Sequence, residues 1–352
     1  MILILAGVVT AGGLSAGLAA PETQKIPLTR DLDYVCDVRW ASRHEILIAA
    51  GRKGGYVVDL LTMGEKDATI GSRVQDVEIE PMFWAKLGAS GQYTVVSDFA
   101  ISMTWVGRTN QQSWTHQSPR DLNAIIDLDV HRDQMIWIGA TREPGGLLCP
   151  DGSMAWISTL PEFDPVPVHG CEDGGGCYSL DTLGFMELSH VRFLADGSFV
   201  VVPGTDDGMY LYSPNRRLER FWSNQELGVT PMDDATISAV DVDLRAQYAG
   251  DELFRHQEWI NKRSIIDEVV QIGDELYIVV RSTNENVVSW SLSKLDRSTG
   301  AVTQVQSYFP VSHHPVAHLR ADWFFGRLAV LIYTYPNKDG EPPGTLLIQD
   351  WR

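Results

Sequence analysis

The sequence predicts an all-β fold, a six-bladed β-propeller with a short helical insertion, and three observations predict it. Six stretches superimpose on one another as strand, polar turn, strand: VCDVRWASRHEILIAAG from Val35, MFWAKLGASGQYTVVSD from Met82, IIDLDVHRDQMIWIGA from Ile125, LSHVRFLADGSFVVVPG from Leu188, IIDEVVQIGDELYIVVR from Ile265 and VAHLRADWFFGRLAVLI from Val316. Their starts are separated by 47, 43, 63, 77 and 51 residues, so the repeat has the length of a four-stranded blade, with two longer intervals. One shared column holds Asp37, Trp84, Asp127, His190, Asp267 and His318.

Taken in chain order, residues 1–19 read as a signal peptide. They are apolar and uncharged, and Gly17-Leu18-Ala19 has the small-x-small pattern of a cleavage site. The stretch is short and glycine-rich, nearer an export signal than a membrane span. Residues 20–352 then form one propeller domain, and the expected location is periplasmic or secreted, with no transmembrane segment after signal removal.

The second strand of each unit (ILIAAG, YTVVSD, MIWIGA, FVVVPG, LYIVVR, LAVLIY) is rich in β-branched and aromatic residues and apolar on both faces, as packing between neighbouring blades requires. Third strands are expected at GGYVVDL, ISMTWV, GGLLCPDG, GMYLYSPN, VVSWSLSKLD and GTLLIQDW. The two longer intervals imply insertions at about 158–186, containing PEFDPVPVHG and a cysteine loop, and about 215–263, where Asp241 to Lys262 reads as a helix. A seventh, irregular blade inside 215–263 is the competing reading. The chain ends on what is only a third strand, and Lys25 to Leu28 is expected to supply the fourth, closing the ring with both termini.

Cys171 and Cys177 flank a glycine-rich loop and read as a local disulfide, with a metal pair as the alternative. Cys36 and Cys149 fall in predicted strands and read as buried apolar residues.

In a propeller the first strand of each blade lines the axis, so the shared column becomes one level of a central ring. Two residues further along, about 6–7 Å at strand rise, stand Arg39, Lys86, Asp129, Arg192, Val269 and Arg320. Three readings follow. Paired groups such as Asp37 with a neighbouring base and Asp267 with Arg320 fill the axis structurally. Alternatively Asp127, His190, Asp267 and His318 converge on a divalent cation, Ca²⁺ if oxygen dominates or Zn²⁺ if both imidazoles bind. Or Arg39, Lys86, Arg192 and Arg320, beside Asp37 and Trp84, hold an axial ligand through its carboxylate or phosphate, with Trp84 offering a ring to stack on.

The formal net charge of −18, from 46 acidic and 28 basic residues, argues against nucleic acid as a partner. Beyond residues 1–19 the sequence has no G-x-S-x-G, P-loop or HExxH motif.

The strand–turn–strand units and the corner KLDRSTGAV (Lys294 to Val302) resemble the broad superfamily of bacterial exported six-bladed propellers, which includes NHL-type, TolB-like and lactonase-type members. The segment RHQEWINKRSIIDEVVQIGDELYIVVR is similar to uncharacterised members of that class. The resemblance covers about residues 30–352 and implies no assigned activity. Lactonase-type members hold a central Ca²⁺ through acidic and amide side chains on inner strands, whereas here two histidines and a basic layer stand in that place.

The expected function is an exported binding or scaffold protein recognising a protein, small-molecule or glycan ligand at one disc face. The alternative is a metal-dependent hydrolase, lactonase-like or esterase-like, using the axial Asp/His ring. A third reading is sugar or cell-wall binding through exposed aromatics.

Overall fold

The computed structural model describes residues 22–28, 35–50, 54–59, 70–73, 85–98, 103–108, 113–117, 122–141, 147–148, 153–170, 178–179, 189–203, 208–229, 265–284, 287–305, 307–313, 317–334 and 344–351. They form six four-stranded antiparallel sheets and one two-stranded ladder, Leu147–Leu148 with Tyr178–Ser179. The fold is an all-β propeller. Among the described residues the sole helix is the four-residue Asn224–Leu227, started by a capping box of Ser223 and Glu226 and stopped by Gly228 at φ 70°.

Each sheet is a meander. Sheet one runs Val35–Ser42, Glu45–Ala50, Gly54–Asp59, Ile70–Arg73, and sheet two Ala85–Ala89, Tyr93–Asp98, Met103–Arg108, Ser113–Gln117. Sheet three runs Leu122–His131, Gln134–Thr141, Ser153–Thr159, Asp164–Gly170, and sheet four His190–Phe193, Phe199–Val202, Gly208–Tyr212, Leu218–Ser223. Sheet five runs Ile265–Ile272, Glu275–Asn284, Val287–Leu295, Val302–Val305. Sheet six is built from Ala317–Phe324, Arg327–Thr334 and Gly344–Asp350, and its fourth strand is Thr23–Pro27 from the other end of the chain. The expected use of both termini to close the ring is what the structure shows, with Ile26 opposite Leu346.

The first strand of each sheet contacts the first strand of the next, and the series returns from sheet six to sheet one. The core accordingly lies between sheets. One apolar cluster joins sheets six, one and two through Ile26, Val38, Leu87 and Leu346. Others fill the gaps between two and three (Val95, Trp137), three and four (Ile136, Val201), four and five (Val200, Ile278), and five and six (Val279, Leu319). Each fully buried aliphatic contributes about 1.5–3 kcal/mol, so double-sided burial of the second strands is the main cohesive term. Sheets two and three approach closely at Gly88, where a Cβ would overlap the side chains of Val130 and Leu128.

Three expectations need correction. The third strand of sheet three is Ser153–Thr159, not the GGLLCPDG stretch before it. PEFDPVPVHG is not an insertion, because Asp164–Gly170 is the fourth strand of that sheet; its prolines are tolerated at an outer edge, where one side makes no ladder bonds. Likewise Leu218–Ser223 belongs to sheet four rather than to an insertion. The Asp241–Lys262 helix, the Cys171/Cys177 pair, Cys149, Trp84 and the residues read as a signal peptide lie outside the described residues. Among those described, no helix is long and apolar enough to cross a membrane.

Candidate functional site

Three of the inner strands are irregular where the shared column begins. Pairing with the second strand skips a residue between Val35 and Asp37, between Ile125 and Asp127, and between Ile266 and Glu268. A bulge of this kind re-aims side chains out of strict alternation. Here it turns carboxylates sideways, toward the neighbouring sheet.

The consequence is a chain of latches around the axis. Asp37 accepts the backbone N–H of Leu87 in sheet two (2.9 Å). In sheet three, Asp127 accepts Val191 N–H (3.1 Å) and Asp129 accepts Phe193 N–H (2.8 Å), both from sheet four. Asp267 accepts Leu319 N–H (3.0 Å) and Glu268 accepts Ala321 N–H (3.2 Å), joining sheet five to six. Asp322 accepts Trp40 N–H (2.7 Å) and so joins sheet six to one, while the Trp40 indole donates to the Asp322 carbonyl (3.0 Å). Between sheets four and five the latch is an imidazole: His190 Nε2 donates to the Ile266 carbonyl (3.0 Å). Between two and three, Ser90 Oγ donates to the Arg132 carbonyl (2.9 Å). Hydrogen bonds to charged groups contribute about 1.5–3 kcal/mol each and neutral ones about 1, so the carboxylate latches do most to fix how the sheets are seated.

Asp37, Arg39, Lys86, Asp127, His190, Arg192, Asp267, Glu268, Arg281 and Arg320 are all buried. The acidic level and the basic level expected from the sequence interleave instead of stacking. Arg39 turns back to bond Asp37 (2.8 Å). Arg192 lies 3.6 Å from Asp127 and donates to Glu268 at 2.7 Å. Arg320 reaches across to His190, its Nη1 2.7 Å from the imidazole Nδ1. The expected Asp267–Arg320 pair does not form between side chains. Arg320 meets only the Asp267 carbonyl at 3.5 Å, while the Asp267 carboxylate takes the Trp290 indole N–H (2.6 Å) and faces His318 Nδ1 (3.3 Å).

The level assigned in sheet two also changes. Val191 and Leu319 receive latches immediately after His190 and His318, and Leu87 does so immediately after Lys86. Lys86 is therefore the residue of sheet two that stands where His190 and His318 stand in theirs.

The electrostatics follow from burial and neighbours. Burial opposes ionisation of Asp127, but Arg192, His190, Arg320 and Lys86 outweigh it and hold its pKa well below the usual carboxylate range. Burial likewise opposes charge on Asp267, and His318, Arg281 and Trp290 together bring it down to about 2. His190 is pushed below its ordinary value by burial and then by Arg320. His318 is lowered by burial, against the pull of Asp267. Lys86 is lowered by burial and by Arg320. Asp322 is raised by burial to about 6 despite the nearby Arg39.

These facts bear on metal binding. Arg320 can only donate, so His190 Nδ1 must accept, and Nε2 carries the proton given to Ile266. Both ring nitrogens of that imidazole are thus engaged, one as acceptor and one as donor. His318 and Asp267 form a second, separate pair, so the four candidate ligands fall as two couples. Among the described residues, no group of three or more His, Cys, Asp or Glu is arranged to hold a metal ion.

Sequence reasoning missed Glu268, Asp322 and Trp290. Glu268 carried a signal, being the charged residue at a position that is apolar in the other units. Asp322 and Trp290 carried none, because their partners lie on other strands.

No protein-family model matches the chain, and no curated protein does. Solved structures do. A member of the DUF4221 family from Bacteroides vulgatus superimposes with a TM-score of 0.56 at 10% identity, covering 96% of this chain and 98% of that one. A putative exported protein from Bacteroides fragilis gives 0.54 at 9% identity, covering 95% and 96%. A catalytically inactive virginiamycin B lyase from Staphylococcus aureus, crystallised with quinupristin, gives 0.52 at 9% identity, covering 94% and 99%. At such identity the likeness is one of fold.

Proposed function

We propose that the protein is an exported six-bladed propeller, periplasmic or secreted, that acts without catalysis as a binding or scaffold protein, engaging its ligand at one face of the disc. In this reading each four-stranded sheet is a blade and the axial ring is a structural plug. The observation that carries it is the pairing of His190, whose two ring nitrogens are both engaged by Arg320 and Ile266. Two further observations support it: Arg39 turns back onto Asp37 at 2.8 Å and Arg192 donates to Glu268 at 2.7 Å, so these cations are committed to carboxylates of the axis itself. An axis committed to holding its own sheets together has little chemistry to offer, whereas turns on a rigid scaffold are well placed for recognition.

A metal-dependent hydrolase is the reading this proposal displaces. Metal analysis of the purified protein, with assays on simple lactones and aryl esters, separates the two. The proposal expects no stoichiometric metal and no turnover. One Ca²⁺ or Zn²⁺ per chain, with hydrolysis lost in a His190→Asn/His318→Asn double variant, overturns it.

A further inference from the structure

The buried polar groups of the axis are not evenly partnered. On sheets four to six they meet one another: Arg192 donates to Glu268, Arg320 to His190, and Asp267 holds Trp290 and faces His318. Sheets one and two differ. Arg39 uses a single nitrogen, Nη1, which donates to Asp37 Oδ1 at 2.8 Å and to the Val38 carbonyl at 2.7 Å. Its Nε and Nη2 are buried and meet no partner among the described residues. Lys86, 7% exposed on the neighbouring sheet, makes no hydrogen bond or ion pair with any described residue.

Asp37 joins these two cations into one site. Its Oδ1 takes Arg39, and its Oδ2 takes the backbone N–H of Leu87, the residue after Lys86, at 2.9 Å. The Asp37 charge also acts on the Lys86 ammonium. The neighbouring charge that acts on it most is a third cation, Arg320, ahead of both Asp127 and Asp37. Buried cations with donors to spare are costly unless an anion meets them.

The spare donors define the ligand. Nε–H and Nη2–H lie on one edge of the planar guanidinium and point the same way, a fork that takes two oxygens of one carboxylate. Charge sets the valence. The described residues bury five cationic side chains, Arg39, Lys86, Arg192, Arg281 and Arg320, against four carboxylates, Asp37, Asp127, Asp267 and Glu268. Asp129 and Asp322 are only half-buried; each accepts two backbone N–H groups, and burial pushes both carboxyls up. One negative charge balances the buried set, which favours a monocarboxylate over sulfate or phosphate. The net charge of −18 acts from further off and is screened beyond about 8 Å at physiological ionic strength. With Arg39 2% and Lys86 7% exposed, a ligand that touches both is enclosed, and therefore small. We infer that Arg39 and Lys86 bind a small monocarboxylate, of the size of formate or acetate, on the propeller axis beside Asp37. This goes beyond recognition at the disc face and does not depend on it.

The test begins with the full chain purified in Tris chloride. Ion chromatography after denaturation counts the carboxylate that each chain carries. Melting curves then follow added formate, acetate and hydrogencarbonate at constant ionic strength, against sulfate and chloride. The expected result is one carboxylate released per chain, or a melting temperature that rises by about 2 °C for each tenfold excess over Kd. Arg39→Lys keeps the charge and loses the fork, and Lys86→Met loses the charge; each is expected to weaken binding about tenfold or more. If Arg39→Lys does not fold, Lys86→Met carries the comparison, and the wild-type series decides by itself. A protein that releases no carboxylate and melts alike in carboxylate and chloride overturns the inference, because water alone then meets Arg39. A response to sulfate equal to that to formate also overturns it, as does unchanged binding in either folded variant. Each of these failures leaves recognition at the disc face standing.

Discussion

Arg320 Nη1 lies 2.7 Å from His190 Nδ1, although the two residues stand 130 positions apart in the chain and on different sheets. The same Arg320 lies 4.0 Å from Glu268 on the sheet between them. Replacing it by Met leaves a buried acceptor and a buried carboxylate short of a cation, and breaking a buried pair of this kind costs about 3–5 kcal/mol. Arg320→Met is expected to lower stability by that order in denaturant melts, and to raise the His190 pKa, because Arg320 is one of the causes that lower it.

Asp267 has a depressed pKa of about 2, so its contribution to stability is present above about pH 4 and lost as pH falls through about 2. The difference from an ordinary carboxylate corresponds to about 2 kcal/mol. Asp267→Asn is expected to cost at least that at pH 7, with a smaller penalty in melts at pH 2–3. It also weakens the bond to the Trp290 indole, which Trp fluorescence reports.

Asp322 behaves in the opposite sense. Its pKa is raised to about 6, so the folded state binds a proton more readily than the unfolded chain; that stability is full below about pH 4 and lost as pH rises through about 6. Asp322→Asn gives up one of the two backbone bonds, to Trp40 or Trp323. Its stability relative to wild type is nevertheless expected to improve between pH 4 and pH 8, by up to about 3 kcal/mol. A difference that stays flat over that range contradicts the assignment.

Closure by Thr23–Pro27 predicts a further sensitivity. Ile26 is 2% exposed and packs in the cluster that joins sheets six and one. Ile26→Ala is expected to cost about 2–5 kcal/mol. Removing residues up to Pro27 also bares the Gly344–Asp350 edge and is expected to promote association, seen by light scattering.

The strand–turn–strand units were legible because burial on both faces writes runs such as FVVV and LYIVV plainly into the chain. The column of Asp37, Asp127, His190, Asp267 and His318 was legible because a propeller repeats its inner strand in register. The partners were not. Which neighbour Asp267 reaches depends on a bulge at Ile266–Glu268, and a bulge changes direction without changing composition. Lys86 was placed two positions late for a related reason: with Gly88 packed against Leu128 and Val130, sheet two is seated by shape, and its inner strand holds no Asp to mark the register. Asp164–Gly170 was misread because prolines disguise an edge strand.

The central claim is that the axial side chains are spent on holding the sheets together and do not form a metal centre. Nitrogen NMR of the His190 imidazole between pH 5 and pH 8, with and without chelator, tests it most directly. The account predicts a neutral ring protonated on Nε2, accepting at Nδ1, and unchanged when chelator is added. A metal-shifted nitrogen that reverts with chelator, or a ring that titrates at the ordinary histidine value, would contradict it.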